Sequence, residues 1–391
     1  MRIGMILDKI FPPDPRVENE AIELIKKGHE VFLFCLTYTK EEKEEEINQI
    51  KVKRYKSNKL EYKLSALVYT VPFYTILMQK KISSFLKEFK IEAIHIHDMV
   101  IAEAVFKENK KTRLPVILDL HENRPEIMKF YPHLKKFPSN IIILPKKWKQ
   151  KEEAFIKKAD KIIVVTEDAK KEIIERTKIK SDAIGVVPNT VRASFYNDNK
   201  GLVIERNTKK DFILLYIGDT GERRGLKTVI RSIPKLVENI KNVKLVIVGK
   251  IPSNLKEEVT SLKVDKYVKF EGWQKESTFL NYIKDSDICL SPLHRNIHHD
   301  TTYANKLFQY MSLGKPLLVS NATAQKNLVE KINAGLVHSE KNVEDFESKV
   351  LELYKNEMLR NKLGENGENF VRNEFTWDKT SKELINLYNT L

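Results

Sequence analysis

The sequence predicts an α/β protein of two domains, each an open parallel sheet wrapped by helices, and three observations carry that prediction. The chain has 391 residues, more than a single core of roughly 150–200 residues holds. Short apolar runs rich in β-branched residues alternate with amphipathic segments, and they do so in two successive series. A polar interval with no period, Arg192 to Lys210, separates the two series.

The first series reads "RIGMIL", "EVFLFCL", "AIHIH", "PVILDL", "KIIVVT" and "AIGVVP". Between its first two strands, "RVENEAIELIKKGHE" has helical spacing and Gly28 supplies a stop. The second series reads "FILLYIG", "KLVIVGK", "VKFEG", "ICLSPL", "PLLVS" and "AGLVHS". A last amphipathic segment, "FTWDKTSKELINLYNTL", follows the second sheet. Two such sheets joined by a linker place a ligand in the cleft between the carboxyl ends of their strands. The run "KEEKEEE" near Glu44 reads as a solvated surface face.

Composition narrows the partners. Hydrophobic residues make up 41% and charged ones 31%, a globular balance. The excess of Lys and Arg gives a net charge of +15, which favours phosphate-rich ligands, anionic membrane surfaces or nucleic acid. No nucleic-acid module and no basic–aromatic interleaving is present, so nucleic acid is not an expected partner. Cys35 and Cys289 both lie in apolar runs, which predicts buried thiols in a reducing compartment rather than a disulfide. The chain opens on a strand pattern, so no secretory leader is expected. No apolar run approaches the ~20 residues of a membrane-spanning helix. The expectation is a cytoplasmic protein, soluble or peripheral on the inner face of the membrane.

Two loops carry the chemistry of the second half. In "YIGDTGERRGLKTVIRSIPKL" a strand ends at Gly218, a glycine-containing turn follows, and a helix starts near Leu226. Such a turn lets backbone N–H groups and a helix N-terminus approach an anion, with Arg223 and Arg224 adding ionic contacts. In "SPLHRNIHHDTTYANKLFQYMSLGKPLLVS" a helix is expected from about Asn305 to Leu313, ended by Gly314. Lys306 lies in its first turn, where a cation opposes the helix dipole unless an anion binds there. Gln309 follows one turn later, on the same face. His294, His298, His299 and Asp300 in that loop form a metal candidate, although a histidine-rich polar loop more often holds no metal, and none is expected. In the first half, "VILDLHENRPE" sets Asp119, His121 and Glu122 at a strand's carboxyl end. "FPPDPRVENEA" offers Asp14, Arg16 and Glu20 at a helix start.

Taken in order, "DPRVENEAIELIKKGHEV", "DLHE", "VVPNTV", "YIGDTGERRGL", "VKFEGW", "ANKLFQYMSLGKPLLVS" and "FTWDK" resemble the family 4 glycosyltransferases, over nearly the whole chain. The resemblance implies the GT-B fold, two Rossmann-like domains facing each other across a cleft. It divides the chain into residues 1–190 with a helix of about 374–391 crossing back, a linker at 191–210, and a donor domain at 211–373. It implies transfer of a sugar from a nucleotide-diphosphate donor, UDP-sugars foremost, with retention and without a cofactor or metal.

By resemblance, the catalytic residues are His121 beside the transferred sugar and Arg224 at the diphosphate, and the charge and position of Lys306 add it to the diphosphate contacts. Gly218, Asp219, Arg223, Trp273, Thr302, Asn305 and Gln309 fall on the donor side. Asp14, Arg16 and Glu122 fall on the acceptor side, with the loop of Asp14 to Arg16 closing over the cleft. Two departures stand out. Asp219 replaces a basic residue, and the family's paired glutamates fall on Thr301 and Gln309. An amide at Gln309 still accepts from and donates to ribose hydroxyls. The rival readings are an inactive or binding-only relative and a sugar-nucleotide epimerase of the same architecture.

The implied acceptor is a glycan or a polyprenyl-diphosphate-linked glycan, and the charge pattern suits a membrane. Between Lys135 and Lys161 nine lysines stand against Glu152, Glu153 and Asp160, around the apolar "NIIILP" and Trp148. A second basic cluster, "KVKRYKSNKLEYK", precedes "LSALVYTVPFYTILM". Basic residues beside apolar ones suit anionic headgroups with shallow insertion.

Overall fold

The structure is a computed structural model and describes residues 1–39, 43–191 and 211–391. The chain divides into two compact units, Met1–Asn189 with Thr380–Leu391, and Thr190–Lys379. All but the first residue of the expected linker 191–210 lies outside the described residues.

The first unit is an eight-stranded sheet. Its strands are β1 (Arg2–Leu7), β2 (Glu30–Thr37), β3 (Glu44–Ile47), β4 (Ile50–Lys56), β5 (Ala93–His97), β6 (Val116–Asp119), β7 (Lys161–Val164) and β8 (Ile184–Val186). They lie in the order β3-β4-β2-β1-β5-β6-β7-β8, all parallel except β3. β5 and β6 are buried at every position, as expected of parallel strands covered on both faces and written as continuous apolar runs. The order reverses between β1 and β5, so the loops after these two strands border a crevice.

The β3–β4 hairpin corrects one reading. The "KEEKEEE" run was expected to be a bare solvated face, but Glu44–Ile47 form an edge strand. Asn48 and Gln49 turn the chain at φ 50° and 67°, the left-handed pair that a tight hairpin needs. Glu44 pairs with Lys53, and Glu45 with Arg54 at 2.7 Å. Lys53 and Arg54 are therefore buried, so two of the six basic residues of the second basic cluster do not face outward. Trp148 was expected at the surface and is likewise buried, edge-on to Tyr69 at 4.7 Å. Val68, Tyr69, Tyr74 and Met78 of the following apolar stretch are core.

The second unit is a six-stranded parallel sheet. Its strands are β9 (Phe212–Ile217), β10 (Val243–Val248), β11 (Val268–Gly272), β12 (Ile288–Ser291), β13 (Leu317–Ser320) and β14 (Gly335–His338). The order is β11-β10-β9-β12-β13-β14, reversing between β9 and β12. Cys35 and Cys289 are both buried free thiols.

The terminal segment, expected as one helix, forms two pieces, Trp377–Thr380 and Lys382–Asn389. The second piece packs on β8 of the first unit: a Cβ on Gly185 would come within 2.6 Å of Leu387. Tyr388 Oη lies 2.9 Å from Nδ1 of buried His95. Among the described residues no helix is long and apolar enough to cross a membrane.

Candidate active site

The switch point of the second unit gathers a cluster of cations. β9 is followed by Gly218 at φ 132°, a backbone state that favours glycine. Tyr216 sends its hydroxyl to the Asp219 carbonyl at 2.5 Å, shaping the turn. The turn ends at Gly225, where φ is 75° and a Cβ would meet the Pro292 carbonyl at 1.7 Å. Glycine there lets the loop after β9 press onto the loop after β12, and His294 N donates to Arg223 O at 2.9 Å. A helix, Leu226–Asn239, starts at this point, with its first N–H groups unpaired within the helix and its positive dipole end towards the turn.

Lys306 opens the helix Lys306–Met311, shorter than the expected span from Asn305 to Leu313. Its Nζ stands 3.5 Å from the centroid of the buried Tyr216 ring, and a Cβ on Gly218 would lie 3.8 Å from it. Burial, and then Arg224, push its ammonium well below the usual lysine pKa range. Arg224 Nε donates to Asp219 Oδ2 at 3.1 Å. Arg223 Nη1 lies 3.1 Å from His299 Nε2. His299 Nδ1 lies 2.8 Å from the His294 carbonyl and donates to it, which leaves Nε2 to accept from Arg223. Burial holds His299 neutral, with its pKa pushed down to about 3.

Asp219, the residue that replaces a base, tethers Arg224 and stands 3.8 Å from Arg223. Trp273 is 74% exposed just after Gly272. Thr302 donates to the His298 carbonyl at 2.6 Å, which commits its hydroxyl locally. Asn305 is exposed ahead of the helix and caps nothing. Gln309 Nε2 donates to Glu276 Oε1 at 3.1 Å. The shared face expected of Lys306 and Gln309 is thus divided: one tip meets Tyr216, the other Glu276.

At the carboxyl end of the first sheet the charges are buried and paired. Asp119, the last residue of β6, accepts from Arg16 Nε at 2.9 Å and Nη2 at 2.8 Å, a bidentate pair. Arg16 also reaches Glu20 Oε1 at 3.1 Å and the Val187 carbonyl at 2.9 Å. His121 Nε2 is 2.8 Å from Asp119 Oδ2, and its Nδ1 is 3.8 Å from Asp98 Oδ2. Asp98 in turn accepts from Lys9 Nζ at 2.9 Å, joining the loops after β1 and β5. Burial opposes a charge on His121, but Asp119 and then Asp98 carry its pKa up to about 9. His121 is 15% exposed whereas Asp119 and His97 are fully buried, so of the three it alone reaches the surface.

Three acceptor-side expectations change. Asp14 caps the helix Pro15–Lys26, accepting from Val17 N at 3.3 Å. Arg16, inside that helix, is held by Asp119 and Glu20, so this segment is a locked helix start and not a closing loop. Glu122 pairs with Arg124 at 3.2 Å. Asp98 and Lys9 were not singled out in the sequence. The signal was present in "HIHD", which ends β5 as "DLH" ends β6, and Asp98 sits at φ 65°, which Asp tolerates.

Among the described residues the one group of metal-ligating side chains gathered within 4.8 Å is Glu20, His95, His97 and Asp119, not the histidine loop. The Arg16 guanidinium already stands at both of its carboxylates, so a cation there faces a resident positive charge.

With these two arrangements defined, comparison with known proteins decides the family. The Glycosyltransferase Family 4 profile matches residues 16–195, and the Glycosyl transferases group 1 profile matches residues 202–370. The chain belongs to the group 1/family 4 glycosyltransferases. The capsular polysaccharide biosynthesis glycosyltransferase CapM of Staphylococcus aureus is 23% identical over 240 residues, 59% of this chain and 62% of that relative. This glycosyltransferase thus matches about three fifths of that relative's length. The sucrose-phosphate synthase of Thermosynechococcus elongatus superposes with a TM-score of 0.77 at 15% identity, covering 100% of this chain and 98% of that one. Anabaena HepE in complex with UDP-glucose superposes with a TM-score of 0.71 at 12% identity, covering 100% of both chains. At such identities the superpositions show the fold, which is GT-B.

Proposed function

We propose that this glycosyltransferase moves a hexosyl or N-acetylhexosaminyl group from a UDP-sugar to a glycan or polyprenyl-diphosphate-linked acceptor, with retention and without a metal. The product is a surface polysaccharide or glycoconjugate, made at the inner face of the membrane. The observation that carries the reading is Lys306, whose ammonium stands beside Gly218 and, among the described residues, has no carboxylate within ion-pair distance. A diphosphate supplies the missing negative charge. Two named likenesses support the donor and product class: HepE binds UDP-glucose, and CapM serves capsular polysaccharide biosynthesis.

In the transfer, the bond from the anomeric carbon to the β-phosphate oxygen breaks as a bond to the acceptor oxygen forms on the same face. The leaving diphosphate takes the negative charge and accepts the acceptor's proton. Arg224, Lys306 and the start of the Leu226–Asn239 helix stabilise that charge, the largest expected contribution. His121 is charged at neutral pH, so it is no general base; it donates a hydrogen bond to the transferred sugar.

The test is release of nucleotide from a panel of UDP-, GDP- and CMP-sugars with anomer assignment of the product by NMR. UDP release with a retained anomer supports the reading. Binding of none of the donors overturns it, and a covalent glycosyl-enzyme trapped by mass spectrometry overturns the front-face step.

A further inference from the structure

The first unit carries an apolar surface that its own fold leaves uncovered. Phe137 is 79% exposed, Ile141 63%, Leu60 66%, Tyr62 67% and Phe73 59%. These residues come from three elements that touch. Thr70, just ahead of the Phe73–Glu88 helix, donates to the Ile142 carbonyl at 2.8 Å. Lys81 of that helix reaches Glu61 of the Lys59–Ser65 helix at 2.8 Å. Ile143 and Trp148 are buried and pin the Phe137–Leu144 segment down, so its exposed side chains are held outward by a folded base.

The exposed charge around this surface is mostly of one sign, since Glu61, between Leu60 and Tyr62, is tied to Lys81. From Lys129 to Lys151 there are seven lysines and no acidic residue. Lys135, Lys136, Lys146 and Lys147 are exposed there, as are Lys59 and Lys63 across the patch. Lysine is depleted at protein–protein interfaces, whereas basic residues beside anionic lipid are each favourable. Exposed apolar residues stand next to exposed lysines along the chain, Leu60 and Tyr62 between Lys59 and Lys63 and Phe137 after Lys136. A fluid bilayer accommodates such an arrangement without shape complementarity.

We propose that the first unit docks on an anionic lipid bilayer, with Phe137, Ile141, Leu60, Tyr62 and Phe73 entering the headgroup layer and Lys135, Lys136, Lys146 and Lys147 lying against the phosphates. The docking narrows the earlier sequence-based expectation: Trp148, Lys53 and Arg54 serve the interior and take no part. It does not depend on the identity of the donor.

Co-sedimentation of the full chain with vesicles tests it. Vesicles of phosphatidylcholine with phosphatidylglycerol should bind the protein, vesicles of phosphatidylcholine alone should not, and raising salt from about 0.1 M to about 1 M should release it. The double variant Lys135→Ala/Lys146→Ala should bind about tenfold more weakly or worse. Phe137→Ser/Ile141→Ser should lose binding while keeping wild-type melting temperature and nucleotide release from a soluble donor. Equal recovery with both vesicle types, or wild-type binding by both double variants, overturns the proposal. Loss of nucleotide release with binding intact speaks against the donor reading alone.

Discussion

Lys306 Nζ rests 3.5 Å from the centre of the Tyr216 ring, in a turn whose nearest carboxylate, Asp219, is bound to Arg224. The ring offsets part of the cost of keeping an ammonium out of water. It does not neutralise it. A charge held this way is destabilising until an anion arrives, which separates a binding role from a structural one.

Lys306→Met should therefore raise or leave unchanged the melting temperature, since it removes a poorly compensated charge. It should weaken UDP binding by about tenfold to a hundredfold, the loss of a contact worth about 1.5–3 kcal/mol. Isothermal titration with UDP and a thermal melt of the same sample check both; unchanged affinity removes Lys306 from the site.

Asp219 competes with any diphosphate for Arg224. Asp219→Asn should free that guanidinium and tighten UDP binding several-fold, with a steeper dependence on salt. Weaker binding instead means that Asp219 orients the arginines, and Asp219→Glu should then restore it.

The buried charges of the first unit set a pH window. His121, raised to about 9 from 6.5, contributes stability that is fully present below pH 6.5 and lost as pH rises through about 9. Glu20, raised by burial to about 8 from 4.5, likewise loses its contribution as pH rises through 8. Asp98, lowered to about 2 by His121 and Lys9 against burial, acts oppositely, losing its contribution as pH falls below 3.8. The melting temperature should fall between pH 6.5 and 9, and His121→Gln should flatten that fall. Asp98→Asn should bring the alkaline limb of the kcat profile down by about one unit, because one of the two carboxylates that keep His121 charged is gone.

Gln309 donates to Glu276 and lies one turn from Lys306. If it also meets the donor ribose, Gln309→Leu should raise donor KM about tenfold. Gln309→Glu should keep activity with an altered KM, and lose a little stability through like charge against Glu276. KM and melting temperature measured together decide: an unchanged KM in Gln309→Leu places the residue outside the site.

The core strands were legible because parallel strands covered on both faces are written as unbroken apolar runs. β3 and β4 were not, because charged residues interrupt their apolar positions: Ile50 and Val52 are buried, but Lys51, Lys53 and Arg54 stand among them, and β3 is three glutamates and an isoleucine. "DLHE" advertised Asp119 and His121, polar residues straight after an apolar run. Arg16 misled, since its partner Asp119 lies 103 residues away and its charge alone reads as a surface feature. Tyr216 was invisible as the seat of Lys306, because a tyrosine in a buried strand reads as core.

The Lys382–Asn389 helix gives the first unit a consequence for its synthesis. β8 is translated long before residues 380–391, yet Leu387 covers Gly185 and Tyr388 reaches His95. The emerging first unit therefore waits, with an apolar strip and an unmatched imidazole in place, while the whole second unit is made. A chain truncated after Lys379 should have a second unit that resists protease while its first remains open to cleavage near β8.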